Sequence, residues 1–481
     1  MFLGIDIGTS AVKAVVVNEG GAVTAEASAP LAVSRPEPLW SEQDPDDWWT
    51  AANRVVLALP ADARKKVRAI GLAGQMHGAT LLDGSDRPLR PAILWNDGRS
   101  EAECAELEAA EPRSREITAN MAFAGFTAPK LLWVAKHDPD VFAATETVLL
   151  PKDYVRLQMT GDKATDVSDA SGTLWLDVGK RRWSAEMLAA TGLEERHMPR
   201  LHEGCEVTGV LRTDVARDWG MDRLPVAAGG GDNAAAAIGA GVIADGDAFI
   251  SLGTSGVSFV ATDQLRADPY QGLHAFCHAV PGRWHQMSVM LSAAACLDWA
   301  ANLLCVDVPE LIEYASRADE RATPIFLPYL SGERTPHADP HAKGVFFGMT
   351  ADTGPAELAR SVLDGVALGL RDGVDVILAS GSPVESFTVV GGGSRSSYWG
   401  RLIAAALERP LVYREAGAVG PALGAARLAQ IACGAGTLQG SCSPPPVVDT
   451  VEPEPDLVAY FAERRPRFRS LYAALQQNYR D

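Results

Sequence analysis

The sequence predicts an α/β protein whose two lobes have a like fold and share a central cleft. The chain has 481 residues, which is too long for one hydrophobic core. Residues 5–10 and 250–255 share the pattern apolar, any residue, apolar, Gly, Thr, Ser, and this repeat at 245 positions indicates two similar units. Two further stretches, residues 224–241 and 387–407, each run from an apolar strand through three glycines into a helical pattern.

The composition is that of a soluble globular protein, with 47% hydrophobic and 22% charged residues. A net charge of −18 argues against a broad surface for nucleic acid or anionic membrane, although Mg²⁺ can offset the charge of a bound nucleotide. The sequence has no signal-peptide pattern at its start and no apolar run of the roughly 18 residues that a membrane span needs. The seven cysteines are scattered without metal-like spacing, so we expect reduced thiols and a cytoplasmic protein.

The first candidate hairpin joins apolar residues 2–7 and 11–17 through the turn Gly8, Thr9 and Ser10. Backbone amides and small hydroxyls in such a turn can hold phosphate oxygens. Asp6 ends the buried strand, where a carboxylate is costly unless it is paired or faces a cation. The alternative interpretation of Asp6 is an aspartate that caps the turn.

The segment between the hairpins predicts a pocket edge and several helices. Asp44 and Pro45 indicate the start of a helix, and residues 101–110 have a helical pattern with a solvated face. Residues 67–72 predict a strand that ends at a loop holding Met76 and His77 between glycines, although His77 alone could equally be an ordinary loop histidine. We expect the polar residues 149–154 and 166–172 to form solvent-facing loops, with a place in a sugar site as the alternative.

The central stretch predicts a strand over residues 224–228, a glycine loop over 229–231 and a helix that begins near Asp232. A carboxylate at a helix start is favoured in its ionised form by the helix dipole, and it can accept a hydroxyl proton. One alternative is that Asp232 or Asn233 is only a helix cap. Another is a dinucleotide-binding loop through Gly229, Gly231 and Ala234, but Asp232 would repel a pyrophosphate, and no acidic residue follows about twenty positions later.

The C-terminal half predicts a strand over residues 387–390 that runs into Gly391, Gly392 and Gly393, echoing the unit at Asp232 without its acid. An uncharged glycine platform suits the flat face of a base. Helical patterns cover residues 357–370, 399–407 and 457–477, and a helix of small residues follows Gly420. Residues 441–455 are rich in proline and acidic residues, which indicates a surface connector.

Together these motifs resemble the FGGY family of sugar kinases, over essentially the whole chain. The loop Gln75–His77 resembles the members that act on D-xylulose, whereas glycerol kinases carry an Arg-Glu pair there. The stretches that carry the resemblance are residues 5–10, 40–45, 74–78, 93–99, 127–133, 229–233, 332–337, 391–393 and 420–426.

The resemblance implies two ribonuclease-H-like lobes of the actin, hexokinase and heat-shock-chaperone ATPase type, with ATP between them. The expected lobes are residues 1–243, with the sugar site and the catalytic acid, and residues 244–481, with the nucleotide site. The resemblance also implies that Asp232 is the general base and that Asp6 engages Mg²⁺ through water, so both are expected to be catalytic. The other expected site residues fall into three groups: Met76, His77, Asp232 and Asn233 for the ketose; Thr9, Ser10, Lys13, Gly253 and Thr254 for the phosphates; and Gly392 and Gly393 for the adenine.

The expected reaction is phosphorylation of D-xylulose to D-xylulose 5-phosphate. The expected binding partners are the sugar and ATP, and neither nucleic acid nor a membrane is expected. A homodimer is the assembly to test. Another pentulose such as ribulose, or a related polyol, is the nearest alternative substrate. A non-catalytic actin-like ATPase and a dehydrogenase are more remote alternatives. The chain has neither a Walker loop nor the protein-kinase motifs, which an actin-like cleft does not require.

Overall fold

The computed structural model describes residues 1–391, 396–415 and 420–479. No helix in these ranges is long and apolar enough to cross a membrane. The strands are β1 (Phe2–Ile7), β2 (Ala11–Val17), β3 (Val23–Pro30), β4 (Glu42–Gln43), β5 (Ala69–Gly74), β6 (Thr80–Leu82), β7 (Ala92–Ile93), β8 (Thr147–Leu149), β9 (Ala164–Asp166), β10 (Leu176–Asp177), β11 (Arg182–Trp183), β12 (Arg200–His202), β13 (Val207–Val210), β14 (Pro225–Ala227), β15 (Gly230–Gly231), β16 (Ala248–Leu252), β17 (Gly256–Thr262), β18 (His274–Cys277), β19 (Trp284–Met290), β20 (Ile325–Leu327), β21 (Val345–Phe347), β22 (Phe387–Val390), β23 (Leu411–Arg414) and β24 (Val447–Val451). The helices are α1 (Pro45–Ala58), α2 (Ala61–Arg64), α3 (Glu101–Ala110), α4 (Ser114–Thr118), α5 (Thr127–His137), α6 (Pro139–Ala144), α7 (Pro151–Thr160), α8 (Val167–Ser171), α9 (Ala185–Ala190), α10 (Thr213–Trp219), α11 (Asp232–Ala240), α12 (Ala294–Leu304), α13 (Val308–Ser316), α14 (Pro355–Ala379), α15 (Ser397–Leu407), α16 (Pro421–Ala432), α17 (Leu438–Ser441) and α18 (Pro455–Leu475).

Two seven-stranded sheets, one from each half of the chain, form the two lobes. The first has the order β13-β14-β5-β1-β2-β3, with β15 also paired to β5, and the second has the order β18-β19-β17-β16-β22-β23-β24. In the first sheet β1, β2 and β3 are antiparallel neighbours, and β1 is parallel to β5. The second sheet repeats this arrangement with β16, β17 and β19, and with β22 parallel to β16. The predicted pair of hairpins and the two-lobe fold are confirmed.

Both triple-glycine stretches follow a strand and precede a helix along the chain, as predicted, but the two strands occupy different positions in their sheets. The stretch before Asp232 follows β14, whereas Gly391 follows β22. Because β22 lies beside β16 as β5 lies beside β1, the counterpart of Gly391 in the first sheet is Gly74. A strand followed by glycines and a helix can occur at different positions of a sheet, and only the strand pairing shows which positions correspond.

Residues 149–154 and 166–172 are not the solvent-facing loops that their polarity predicts. They form the start of α7 and the whole of α8, and Lys152, Asp166 and Asp169 are completely buried. The charges are tolerated inside because they pair with one another. The predicted surface connector over residues 441–455 likewise contains the edge strand β24, which pairs with β23.

Several predicted elements have shifted boundaries. The strand predicted over residues 67–72 is β5, two positions later, and the helix predicted over residues 357–370 is the longer α14. The predicted helix start at Asp44 is confirmed, because its side chain accepts a hydrogen bond from the Asp46 amide and Pro45 opens α1. Helix α1 buries Trp48 and Val55 in the core beside the first sheet, and α14 supplies much of the core beside the second.

Helix α16 comes from the second half of the chain but packs on β1 and β5 of the first sheet. The approach is so close that no side chain fits between the backbones. A Cβ atom built on Gly4 would lie 1.8 Å from the Ala422 carbonyl oxygen, and one built on Gly71 would lie 1.9 Å from that of Ala425. Glycines in two neighbouring strands therefore let this helix cover the first sheet.

Candidate active site

Asp232 is the first residue of α11 and lies at the end of the first sheet. The chain arrives there from β14 through Gly229, whose φ of +79° and contact with the Leu72 carbonyl leave no room for a side chain. Strand β15 then pairs Gly231 with Gly74 at the end of β5. One carboxylate oxygen of Asp232 accepts hydrogen bonds from the Asn233 amide at 2.7 Å and from the Asn233 side chain at 3.0 Å.

Asp6 and Asp232 lie at the same edge of the sheet, because Asp6 of β1 and Gly230 of β15 both pair with Ala73 of β5. Both carboxyl groups keep some solvent access, but protein surrounds most of each. Burial raises the pKa of Asp232 to about 6, although the hydrogen bonds from Asn233 oppose the shift. Burial, together with the charge of Asp232, raises the pKa of Asp6 to about 7. Desolvation thus outweighs the hydrogen bonds that favour the ionised form of Asp232, yet this carboxyl is still mostly ionised at neutral pH.

The surroundings of Asp6 fit a divalent cation. Its Oδ1 is buried and accepts no hydrogen bond from the part of the chain that the structure describes. No group of three or more His, Cys, Asp or Glu residues in that part is placed to hold a metal ion. A hard cation there would therefore take most of its oxygen ligands from water and phosphate, as Mg²⁺ commonly does.

The turn after β1 carries backbone amides and two hydroxyl groups, but one hydroxyl is already engaged. The Thr9 hydroxyl donates to Gln75 Oε1 at 2.8 Å and accepts from the Trp95 indole at 2.9 Å. Ser10 is exposed, whereas Lys13 forms an ion pair with Glu26 at 3.5 Å. Among the predicted phosphate ligands of this hairpin, the backbone amides and Ser10 are therefore better placed to act than the Thr9 hydroxyl.

The second turn is anchored to the start of α12. The Gly253 and Thr254 carbonyls accept hydrogen bonds from the Ala294 and Ala293 amides, both at 2.9 Å. The side chain of Thr254 is exposed. Gly391 lies against the end of β16, next to this turn. The predicted adenine platform, Gly392 and Gly393, lies outside the described residues.

The loop after β5 brings His77 and Met76 to the same end of the sheet. His77 has a φ of +68°, and its carbonyl accepts hydrogen bonds from the buried Lys130 amine at 2.8 Å and from the Thr127 hydroxyl at 3.2 Å. Its Nδ1 lies 2.6 Å from the Gly172 carbonyl, so Nδ1 carries the proton and Nε2 is an acceptor. Burial lowers the pKa of His77 to about 3, which keeps the ring neutral.

Met76 links this loop to the candidate base. A Cβ atom built on Gly231 would lie 2.9 Å from Met76 Cγ, so Met76 packs directly against the residue before Asp232. The structure therefore brings together Met76, Asp232 and, at the same strand ends, Asp6. The geometry at these positions suits a neutral polyhydroxy ligand: the site has acceptors at His77 and Asp232 and an apolar contact at Met76.

Aromatic side chains from both halves of the chain meet beside the loop. Phe126 contacts the His77 ring at a centroid distance of 4.7 Å and the Phe276 ring at 6.1 Å. Arg334 places its guanidinium 5.1 Å from the Phe123 ring. The sequence interpretation missed Phe126, Phe276 and Arg334, and it missed Lys130 as the residue that holds the loop. Only the motif at residues 127–133 offered a signal for Lys130, and it did not reveal the contact.

Comparisons with known proteins agree along the whole chain. Residues 1–239 match the N-terminal domain, and residues 248–433 the C-terminal domain, of the FGGY family of carbohydrate kinases. The chain is 55% identical over 479 residues to the xylulose kinase of Escherichia coli (strain K12), covering 99% of both chains, and 54% identical over 480 residues to that of Klebsiella pneumoniae, with the same coverage. Among solved structures it is similar to a xyloylose kinase from Brucella ovis, with a TM-score of 0.96 and 48% identity over 99% of both chains. It is also similar to the xylulose kinase from Rhodospirillum rubrum, with a TM-score of 0.93 and 30% identity over 100% of both chains.

Proposed function

Because the chain belongs to the FGGY family of carbohydrate kinases, we propose that it transfers the γ-phosphoryl group of ATP to the 5-hydroxyl of D-xylulose. The observation that carries this proposal is the meeting of Asp232 with the Met76–His77 loop at one end of the first sheet. The similarity to xylulose kinases in sequence and in structure supports the choice of sugar.

In this proposal Asp232 orients the 5-hydroxyl and accepts its proton. The carboxylate oxygen that Asn233 leaves free is the acceptor. In a loose phosphoryl-transfer transition state the attacking hydroxyl keeps its proton until late, so a carboxylate with a pKa of about 6 is basic enough to accept it. Asn233 and the Nε2 of His77 bind other hydroxyls of the ketose, and Met76 packs against its carbon skeleton.

The two hairpin turns would hold the nucleotide phosphates between them, and Asp6 would hold Mg²⁺ through water. When bound, Mg²⁺ neutralises charge on the phosphates. The amides of the Thr9–Ser10 and Gly253–Thr254 turns orient the phosphate oxygens. The positive charge of Lys13 lowers the pKa of Asp6 and so favours its ionised form. Gly392 and Gly393 are proposed to contact the adenine. Contact between the lobes excludes water, which would otherwise hydrolyse ATP.

The proposal divides the chain into a sugar lobe, residues 1–243, and a nucleotide lobe, residues 244–481. We further propose a cytoplasmic enzyme, which suits the seven unpaired cysteines. A homodimer is the assembly we propose to test, by sedimentation velocity across a range of protein concentrations.

The decisive experiment measures ADP release with a panel of ketoses and polyols, each with and without Mg²⁺. We expect D-xylulose to give the highest kcat/KM and the rate to disappear without the metal. A higher kcat/KM for ribulose than for D-xylulose would indicate that another pentulose is the substrate. ADP release that does not depend on sugar would indicate an ATPase of the actin-like class and would contradict the proposal.

A further inference from the structure

A cluster of five charged side chains is completely buried in the first lobe. The Lys152 amine lies 2.6 Å from Asp153, 2.8 Å from Asp166 and 3.1 Å from Asp169, and Arg156 lies 3.7 Å from Asp153. Burial alone would lower the pKa of Lys152, but the three carboxylates raise it above its usual value. Buried ion pairs seldom stabilise a fold more than apolar packing does, so the location of this cluster calls for a separate explanation.

The cluster connects to the peptide that precedes Asp232. The Gly231 amide donates a hydrogen bond to Ser168 Oγ at 3.2 Å. The Ser168 hydroxyl in turn donates to Asp166 Oδ1, and Asp166 Oδ2 is the oxygen that pairs with Lys152. An unbroken chain of hydrogen bonds and one ion pair therefore runs from the buried amine to the backbone beside the candidate base.

Arg156 anchors the same segment at its other end. Its guanidinium donates to the Ala227 carbonyl at 2.8 Å and to the Thr208 hydroxyl at 2.6 Å, and it also donates to the Ala228 carbonyl. Residues 227–231 are thus held at one end by the Arg156 guanidinium and at the other by the Ser168 hydroxyl, which is bound to the buried Asp166. Among the described residues, the side-chain hydrogen bond to this segment that lies nearest to Asp232 is the one from the Gly231 amide to Ser168, so Ser168 has direct control over where the carboxylate points.

We propose that Ser168 is a positioning residue for Asp232, with its own hydroxyl oriented by Asp166 and Lys152. The proposal rests on the proposed function, in which Asp232 is the general base. A fixed Gly231 amide sets the direction of the first turn of α11 and therefore the position of the carboxylate. Misplacement of a reacting group by about 1 Å can cost a factor of about 10² in rate.

The primary test replaces Ser168 by alanine. We expect kcat for D-xylulose to fall about ten- to a hundredfold, while KM for ATP stays within about twofold because the nucleotide site is not involved. Thr165→Val is the matched control: Thr165 is buried beside Asp166, and its hydroxyl has no hydrogen-bond partner among the described residues. We expect this control to keep the parent kcat.

A double-mutant cycle with Asp232→Asn separates positioning from general loss of structure. If Ser168 acts through the base, Ser168→Ala should lower kcat by less than about threefold in the Asp232→Asn background, because the acceptor is already absent. Equal losses in both backgrounds would show a purely structural role and overturn the inference. Should the alanine variant fail to fold, Ser168→Cys gives the same test, since a thiol is a poor acceptor of nearly the same size.

The same measurements distinguish this inference from the proposed function. Asp232→Asn with kcat within about tenfold of the parent would overturn the base assignment, and the inference with it. An impaired Asp232→Asn variant beside an unimpaired Ser168→Ala variant would overturn only the inference.

Discussion

Replacing Asp232 by asparagine changes the candidate base without changing its shape. The new amide oxygen can keep both hydrogen bonds from Asn233, which span 2.7 and 3.0 Å in the parent. The amide NH₂ group then occupies the position of the second carboxylate oxygen, where it donates a hydrogen bond instead of accepting one. The substitution therefore removes the proton acceptor and leaves α11 in place.

The expected loss in kcat is about 10²–10⁴, the usual range for a general base. This corresponds to roughly 3–5 kcal/mol of barrier at about 1.36 kcal/mol per tenfold change. Affinity for ATP should be retained or increase. The charge of Asp232 is one cause of the raised pKa of Asp6, so without it Asp6 ionises more easily beside the phosphates and their metal.

The assay couples ADP release to NADH oxidation at saturating D-xylulose, and calorimetry measures ATP binding separately. Asp44→Asn serves as the matched control, since Asp44 is exposed at the start of α1 and asparagine caps helices equally well. We expect the control to keep the parent kcat. A kcat for Asp232→Asn within about tenfold of the parent would refute the assignment of Asp232 as the base.

Three further predictions test the remaining site residues. Asp6→Ala should abolish most turnover, while D-xylulose affinity measured by calorimetry without ATP changes little; a large loss of sugar affinity would contradict a metal role. His77→Ala should raise KM for D-xylulose far more than KM for ATP, and a change in both of less than about twofold, roughly 0.4 kcal/mol, would make the histidine structural. The kcat/KM for D-xylulose should rise as the pH increases through 6 to 7, where the Asp232–Asp6 pair loses its protons. A protonated Asp232 cannot accept a proton, and Asp6 is also protonated at pH 5, so roughly a tenth or less of the kcat/KM at pH 8 should remain there. A profile that is flat from pH 5 to 8 would exclude a role for this pair.

Much of the fold follows from short-range patterns. Alternating strands, turn glycines and helix caps are local signals, and they predicted both hairpins, the start of α1 and the position of Asp232 at the start of α11. The correspondence between glycine stretches could not be predicted in this way, because it depends on which strands pair across the sheet. The position of β5 and the length of α14 differ from the prediction for a similar reason, since packing against neighbours decides where an element ends.

The site was harder to predict wherever partners are distant in sequence. The Thr9 hydroxyl is engaged by Gln75, 66 positions away, so the turn alone does not reveal which of its groups are available. The charges of Lys152 and Asp169 predicted solvent exposure, yet both side chains are buried inside the lobe, where Lys152 pairs with three carboxylates, including Asp169 at 3.1 Å. The pKa of Asp232 depends mainly on its burial, which a single sequence does not disclose.

The packing of α16 on the first sheet means that the two halves of the gene do not encode separable modules. A fragment that ended at residue 243 would lack the helix that covers Phe2, Val15 and Ala69, and it would expose them to water. The complementary fragment would carry α16 with nothing to pack against. Truncation, circular permutation or exchange of halves between relatives must therefore keep α16 together with β1 and β5. During synthesis on the ribosome, the face of the first sheet that α16 covers stays uncovered until most of the chain, including α16, has been made.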